Sequence, residues 1–343
     1  MSILSFDESS PDALVADRIC GVIDSHADAL RRVELGRRFK IDGVAFRLYR
    51  ADRNVIYTVH EGGRWFLKMP RDVDSHVIAR EISGAERARD ALRDCAGYLP
   101  PRACRASAEK KYLLTFEIRG ALINRALYRS MFTPLPGVTK DTLEAFSHLG
   151  QAMARLHSAG PPPEHNATKP TLDEQLRRAL EDAAGADPLR DEVERWADSL
   201  DTEFDRNEFS HANFRHENIL ISGRRVTFID FENSGRGSIY DDLSWPCAHC
   251  LLTTTARHLP ARRSLASQDS FLRGYQDCGN YDPQRLTQAT TLRVARFYVR
   301  HFCGNQPWPR IAWLPVSRVA VERLLRSLIT GDRTIESHAV ATS

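Results

Sequence analysis

The chain has 343 residues, enough for one large or two modest domains, and its 42% hydrophobic and 27% charged residues are typical of globular proteins. Its 48 basic and 45 acidic residues are interspersed, which argues against nucleic-acid binding, and no apolar run is long enough to span a bilayer. The seven scattered cysteines are unlike a disulfide framework, and the acidic residues 1–12 do not predict a secretion signal. We therefore expect a cytoplasmic protein with free thiols and no membrane partner.

The first third of the chain predicts a small antiparallel sheet with flanking helices. Short apolar runs are separated by turn residues such as Gly62 and Gly63, a pattern that favours a meander of strands. In chain order, the predicted elements are a helix at 12–37, strands at 44–49, 55–59 and 64–69, a helix at 74–93 and a strand at 111–118.

The remainder of the chain is predicted to be mainly helical. Apolar residues recur at spacings of three and four from Leu143 to Leu156, and Gly160 ends this pattern. Further helices are predicted at 172–183, 191–200, 243–255, 267–275, 286–301 and 316–329. A β-hairpin at 218–231, turning at 222–224, interrupts them. The sequence thus predicts an α+β fold with a small sheet part followed by a mostly helical part.

Cys247 and Cys250 are spaced as in some metal and redox sites. Zinc normally needs four ligands, and the sequence has no second C-x-x-C pair. We interpret the two cysteines as neighbours on one face of a buried helix.

The hairpin begins at Asn218 and is followed by Asp230. These positions are symmetric about residue 224, so an antiparallel pair turning there predicts that the amide oxygen and the carboxylate converge. Hard oxygen ligands of this kind suit Mg²⁺, which completes its coordination with water and phosphate oxygens. The alternative is that both are ordinary loop residues at the ends of strands.

Two motifs flank this hairpin. Residues 211–218 read HANFRHEN and resemble the H-G-D-x-x-x-x-N catalytic loop of the aminoglycoside phosphotransferase and choline kinase-like family. Residues 230–232 read DFE and resemble that family's metal-binding element, and residues 235–243, GRGSIYDDL, resemble the segment that follows it. The motifs have the expected order and spacing, and the resemblance extends from about residue 40 to about residue 300.

The resemblance implies a two-lobed protein-kinase-like fold that binds ATP and Mg²⁺. The implied domains are a helical extension at 1–39, a nucleotide-binding N-lobe at 40–118, and a helical C-lobe at 119–343 that contains the catalytic loop and the acceptor pocket. The residues implied for nucleotide and metal binding are Lys68, Glu81, Asn54, Glu117, Ile118, Asn218 and Asp230.

Lys68 is the residue expected to hold the α- and β-phosphates. It lies in a predicted apolar strand, WFLKM, in a chain that has only six lysines among its 48 basic residues. The resemblance implies a glutamate partner from the next helix, with Glu81 preferred over Glu86. The alternatives are a strand-end lysine that reaches water and glutamates on a solvated helix face.

The catalytic loop departs from the family pattern at Asn213, where the family has its catalytic aspartate. Asparagine can orient an acceptor hydroxyl but cannot take its proton at neutral pH. Arg215 occupies the place of a lysine that contacts the γ-phosphate in protein kinases, and its guanidinium could serve the same purpose. His157, at the end of a long predicted helix, is interpreted as structural.

The resemblance therefore implies an ATP-dependent phosphotransferase acting on the hydroxyl of a small molecule, or else a nucleotide-binding pseudokinase. A protein kinase is disfavoured because the chain has no A-P-E element. The acceptor and the oligomeric state remain open. The acceptor pocket is expected within 243–330, and its candidate residues are Asp241, Asp242, Trp245, His249, Tyr275 and Trp308.

Overall fold

The structure is a computed structural model, and its described residues form two compact units. They are 11–72, 76–100, 104–107, 109, 111–133, 136–160, 169–183, 187–200, 204, 206–256, 261–304, 310–311, 314–332 and 335. The sheet unit comprises the described residues up to Asp90, Leu99–Gly120 and Ile229–Asn233. The helical unit comprises Ala91–Tyr98, Ala121–Phe228 and the described residues from Ser234 onward.

The sheet unit contains an antiparallel sheet with the strand order β1-β2-β3-β4-β6-β5. Its elements are α1 (Pro11–Arg32), β1 (Arg38–Ile41), β2 (Val44–Ala51), β3 (Asn54–His60), β4 (Arg64–Pro70), α2 (Val77–Ala91), β5 (Cys104–Ser107) and β6 (Tyr112–Phe116). The predicted meander is confirmed as β2, β3 and β4. The prediction missed the two outermost strands, β1 and β5, because each has only four residues.

Helix α1 packs against one face of this sheet. Ile19, Ile23 and Leu30 are spaced by about one or two helical turns, and they are fully buried together with Trp65 and Leu67 of β4. The helix therefore shares a core with the sheet, whereas the predicted domains separated a helical extension at 1–39 from the N-lobe at 40–118. It ends at Arg32, earlier than expected, and Val33 follows with a left-handed backbone (φ 59°).

The alternation of side chains along β4 places Lys68 on the other face of the sheet. Trp65, Leu67 and Met69 are buried on the face covered by α1. Because successive residues of a strand point to opposite faces, Lys68 is directed away from that core.

The helical unit confirms the predicted helical remainder, with bounds that differ by a few residues. Its helices are α3 (Ile123–Phe132), α4 (Pro136–Ser158), α5 (Leu172–Glu181), α6 (Pro188–Asp198), α7 (Ile239–Thr254), α8 (Ala261–Gln276), α9 (Pro283–Tyr298) and α10 (Arg318–Ile329), and a π-helical turn (Val299–Cys303) follows α9. Its short strands are β7 (Ala121–Leu122), β8 (Glu208–Ser210), β9 (Ile219–Ser222), β10 (Arg225–Phe228), β11 (Gly235–Gly237), β12 (Arg310–Ile311) and β13 (Leu314–Pro315). The sequence prediction missed α3.

Helices α4 and α8 approach closely through two glycines. A Cβ atom on Gly150 would lie 2.1 Å from the backbone oxygen of Phe271, and one on Gly274 would lie 2.0 Å from that of Ser147. Any side chain at either position would force the helices apart.

The hairpin of β9 and β10 differs from the prediction by one residue of register. Ile219 pairs with Phe228 and Ser222 with Arg225, so the turn consists of Gly223 and Arg224 alone. The predicted symmetry about residue 224 is therefore wrong. A two-residue turn replaces the three-residue turn that was expected, and Gly223 has the positive φ (62°) that such a turn favours.

The described helices include none long and apolar enough to cross a membrane. Six cysteines are free thiols, and Cys104 lies outside the described side chains. Cys247 and Cys250 are fully buried in α7, and burial raises the pKa of Cys250 to about 12. The interpretation of this pair as part of a buried helix is confirmed.

Candidate active site

Lys68 lies at the centre of a buried cluster of three carboxylates in the sheet unit. Its Nζ is 2.6 Å from Glu81 Oε2, 2.6 Å from Asp230 Oδ1 and 2.7 Å from Glu232 Oε2. Helix α2 contributes Glu81, and the segment after β10 contributes the other two. The expected lysine partner is therefore Glu81, not Glu86.

This cluster has more negative than positive charge, since three carboxylates surround one ammonium. Burial raises the pKa of Glu81 to about 7, although Lys68 acts in the opposite direction. Burial alone would lower the pKa of Lys68, but Glu81, Asp230 and Glu232 outweigh it and raise that pKa. The three carboxylates each offer an oxygen within 4.8 Å of the others, and such a set of hard ligands fits a divalent cation such as Mg²⁺.

The backbone at Asp230 is unusual for a residue other than glycine. It has φ 68°, in the left-handed region, where aspartate and asparagine are tolerated better than most residues. A strained backbone of this kind commonly occurs where a side chain must be aimed for function.

Glu232 is the last residue of the DFE motif, and the sequence alone assigns it no role. Its Oε2 accepts a hydrogen bond from Asn54 Nδ2 (3.0 Å), and its backbone oxygen accepts one from Arg80 Nε (3.1 Å). Asn54, one of the residues implied for nucleotide binding, is the first residue of β3, and this bond connects it to the lysine cluster.

Glu117 and Ile118, two of the residues implied for nucleotide binding, follow β6. The N–H of Glu117 donates to the backbone oxygen of Arg64 (2.8 Å), and its carboxylate pairs with the Arg64 side chain (2.9 Å). This N–H is therefore already used within the sheet unit.

In the helical unit, Asn213 is buried between two cations. Its Oδ1 accepts hydrogen bonds from Lys169 Nζ and from Arg215 Nε (3.0 Å). Asn218 donates through Nδ2 to the backbone oxygen of Asn213 (2.8 Å), so its side-chain oxygen is the atom that could bind a metal. The sequence did not predict the contact of Lys169, which lies 44 residues before Asn213.

Asp242 holds the catalytic loop in place. Its carboxylate accepts hydrogen bonds from the backbone N–H of His211 (2.7 Å) and Ala212 (3.0 Å) and from the hydroxyl of Ser210 (3.1 Å). Burial would raise its pKa, but His157, 3.3 Å away, and the backbone of His211 hold it below its usual value. These bonds hold Ala212 in place. Ala212 stands at the glycine position of the family motif and has a left-handed backbone (φ 55°).

Two cavities open beside this loop in the helical unit. The cavity at Asn213 has a volume of about 590 Å³, and its neighbour has about 760 Å³. Trp245 and His249 line the second cavity as predicted, whereas Asp242 is fully buried and Tyr275 bonds His157 (2.9 Å). Asp242 is therefore a positioning residue and not a lining residue, and Trp308 lies outside the described residues.

Four arginines line both cavities. Arg215 was predicted as a site residue, whereas the sequence prediction did not identify the other three, Arg293, Arg296 and Arg300. Their spacing of three and four residues near the end of α9 was a signal visible in the sequence, because it places them on one helical face.

Comparison with known proteins agrees with the motifs and the fold. The sequence model of the phosphotransferase enzyme family (APH) matches residues 49–286. No curated protein sequence gives a significant match.

Two solved structures resemble the chain over nearly its whole length. An amicoumacin kinase in complex with AMP-PNP, Ca²⁺ and Ami is 15% identical, with 94% of this chain and 97% of that chain covered and a TM-score of 0.51. A choline/ethanolamine kinase family protein from Mesorhizobium loti is 14% identical, with 92% and 94% covered and a TM-score of 0.50. These similarities confirm the α+β, protein-kinase-like fold. Since the family match covers more than half of the 343 residues, the chain belongs to the phosphotransferase enzyme family.

Proposed function

We propose that the chain is an ATP-dependent phosphotransferase that phosphorylates a hydroxyl group of a small molecule. The observation that carries this proposal is the lysine cluster, in which Lys68 pairs with Glu81 of α2 and with Asp230 of the DFE motif. An ordinary structural ion pair needs one carboxylate, whereas this one has three around a single ammonium.

Lys68 would bind the α- and β-phosphates of ATP, and Glu81 would hold its ammonium in position. Asp230 and Asn218 would bind Mg²⁺, which supplies positive charge against the phosphates during transfer. The excess of carboxylates at Lys68 fits this use, because a bound cation would offset charge that the lysine alone leaves uncompensated. The backbone of Glu117 and Ile118 would bind adenine.

At the acceptor, Asn213 would orient the hydroxyl, whose hydrogen bond to Oδ1 would replace one of the two that this oxygen accepts from Lys169 and Arg215. The amide cannot take the proton, so catalysis would depend more on the two cations that donate to it, Lys169 and Arg215. Their positive charge favours the negative charge that develops on the acceptor oxygen and on the transferred phosphoryl group. Proton loss is needed only late in a loose transition state, when an oxygen of the transferred phosphoryl group can itself take the hydroxyl proton, so phosphoryl transfer stays feasible without a strong base.

A nucleotide-binding pseudokinase is the second candidate, and Asn213 is the observation that favours it. The two functions differ in turnover and not in nucleotide binding.

The test of the first proposal is the shift in melting temperature on adding Mg²⁺-ATP, followed by phosphate transfer from labelled ATP. We expect Lys68→Met and Asp230→Ala to abolish the shift, because one removes the phosphate ligand and the other the metal ligand. Lys40→Met, at an exposed lysine on β1 of the same sheet, is the matched control and should keep the shift. If both site variants bind Mg²⁺-ATP as tightly as the unaltered protein, the assignment is wrong.

A further inference from the structure

The cavity at Asn213 is strongly basic. Its positively charged lining residues are Lys169, Arg178, Arg215, Arg293, Arg296 and Arg300. Asp182 is the one acidic residue among the described lining residues. A cavity so lined carries a large excess of positive charge into the space where an acceptor would sit.

Three of these arginines form a row. Arg293 and Arg296 lie on α9, and Arg300 lies in the π-helical turn that continues it. All three line both cavities, so the row is the wall that the cavities share.

No ion pair joins the row to a carboxylate among the described residues, although the nearby carboxylates of Asp241 and Asp242 attract Arg293 and oppose the effect of burial, which lowers its pKa. Arg293 donates to the hydroxyl of Ser244 (2.6 Å) and to the backbone oxygen of Asp241, both of which are neutral acceptors. The Nε atom of Arg296 is buried and has no hydrogen-bond partner among the described residues.

This arrangement is unfavourable for the protein alone. Burial, together with the positive charges of Arg300, Arg293 and Arg215, lowers the pKa of Arg296 to about 10. Buried donors are normally satisfied, and like charges at helical spacing destabilise a helix. An anion bound in the cavity would relieve both penalties.

The second cavity supplies an aromatic wall next to the arginines. Trp245 and His249 stack with ring centroids 5.0 Å apart and an interplanar angle of 13°, and Tyr128 and Phe297 also line the space. Burial lowers the pKa of His249 to about 3, so this imidazole is neutral at pH 7 and adds no charge. The cavity can therefore accommodate a ring beside the basic row.

We propose that the acceptor is a hydroxylated organic anion whose carboxylate or phosphate group binds Arg293, Arg296 and Arg300, and whose ring packs against Trp245 and His249. The proposal rests on the proposed phosphotransfer, because it names the class of molecule that receives the phosphoryl group. A polycationic acceptor would meet like charge along the whole row.

The experiment uses one scaffold with four substituents at C6 of the sugar. Phenyl β-D-glucoside is the neutral probe, and its 6-carboxylate (the glucuronide), 6-phosphate and 6-amino-6-deoxy forms are the charged probes. Binding is measured by calorimetry on the full chain without nucleotide. We expect both anions to bind at least about tenfold more tightly than the neutral probe, and the amine more weakly than it. Comparing the carboxylate with the phosphate tells which anion the row prefers.

Variants then connect the preference to the row. Arg296→Gln and Arg300→Gln should each weaken anion binding about tenfold, and the neutral probe should be affected little. Arg285→Gln, at an exposed position on α9 that lines neither cavity, is the matched control and should bind as the unaltered protein does. Melting curves of each variant verify folding, and the exposed Arg300 provides a test should Arg296→Gln misfold.

Anionic probes that bind no better than the neutral one, or a preference that survives in both row variants, would overturn the proposal. Because the binding is measured without nucleotide, this failure is distinct from loss of Mg²⁺-ATP binding, which would count against phosphotransfer alone. Transfer from labelled ATP to the preferred anion, with the neutral probe used more slowly, is the expected result once nucleotide is added.

Discussion

Replacing Asn213 by aspartate restores the carboxylate that the family motif has at this position. The side chain is buried, and its Oδ1 already accepts from Lys169 and Arg215. The substitution changes no volume and converts two hydrogen bonds to a neutral oxygen into two to a charged one.

The expected effect on stability is an increase. Each bond already has a charged donor and so contributes about 1.5–3 kcal/mol; a charged acceptor adds attraction between opposite charges, and this gain is opposed by desolvation of the new carboxylate. We expect a net gain on the order of 1 kcal/mol, or a rise in melting temperature of roughly 2–4 °C.

The expected effect on turnover is also an increase. A general base contributes about 10²–10⁴-fold, but two adjacent cations lower the pKa of an aspartate by about 1–3 units and make it a weaker base. We therefore expect a gain smaller than this range, at least about tenfold, in ATP hydrolysis or phosphate transfer, with little change in ATP affinity.

The assay compares turnover and Mg²⁺-ATP affinity in Asn213→Asp, the unaltered protein, and Asn280→Asp. The last adds the same charge at an exposed asparagine and should change neither quantity. Equal or lower turnover in Asn213→Asp, measured with the true acceptor, would refute the reasoning and favour the pseudokinase.

Three further predictions concern stability. Asp242→Asn should lower the free energy of unfolding by about 3 kcal/mol in urea titrations, because backbone donors of the catalytic loop lose their charged acceptor; a loss under about 0.5 kcal/mol would contradict this role. The pKa of Glu81 rises from 4.5 to about 7 on folding, so the folded state binds more protons between these values and stability should fall by on the order of 2 kcal/mol as pH rises from 5 to 8. Glu81→Gln should remove this dependence of stability on pH. An unchanged dependence would show that Glu81 is not its cause. Gly150→Ala should destabilise by several kcal/mol because its Cβ would clash with α8, whereas Gly137→Ala on the same helix, with open space around it, should be neutral or slightly stabilising in the same titration.

The motifs that identify the family could be predicted from the sequence, because they depend on spacing along short stretches of chain. HANFRHEN, DFE and GRGSIYDDL follow one another within residues 211–243, and each can be recognised from its own residues without knowledge of the rest of the chain. The strand position of Lys68 was predictable for a similar reason, since an apolar run with a lysine in it forms a strand locally. Such features need no knowledge of distant contacts.

Element ends and strand register were less predictable. The hairpin register changed by one residue because the turn uses two residues and not three. Strands β1 and β5 have too few residues to give a periodic signal, and pairing with neighbouring strands stabilises them.

The partners of the site residues were decided by the tertiary structure. Lys68 and Asp230 are 162 residues apart in the chain, and Glu81, not Glu86, is the residue of α2 that reaches Lys68 when this helix packs against β5 and β6. The same holds for Lys169 at Asn213 and for the arginine row, whose spacing was visible in the sequence but whose unsatisfied donor, the buried Nε of Arg296, was not. The sequence by itself determined which chemistry the chain carries. Which charged groups contact one another, and which remain for a ligand, depended on packing between segments that are distant in the sequence. The reason is that the residue type alone gives a side chain its charge, whereas residues far away in the sequence form its surroundings.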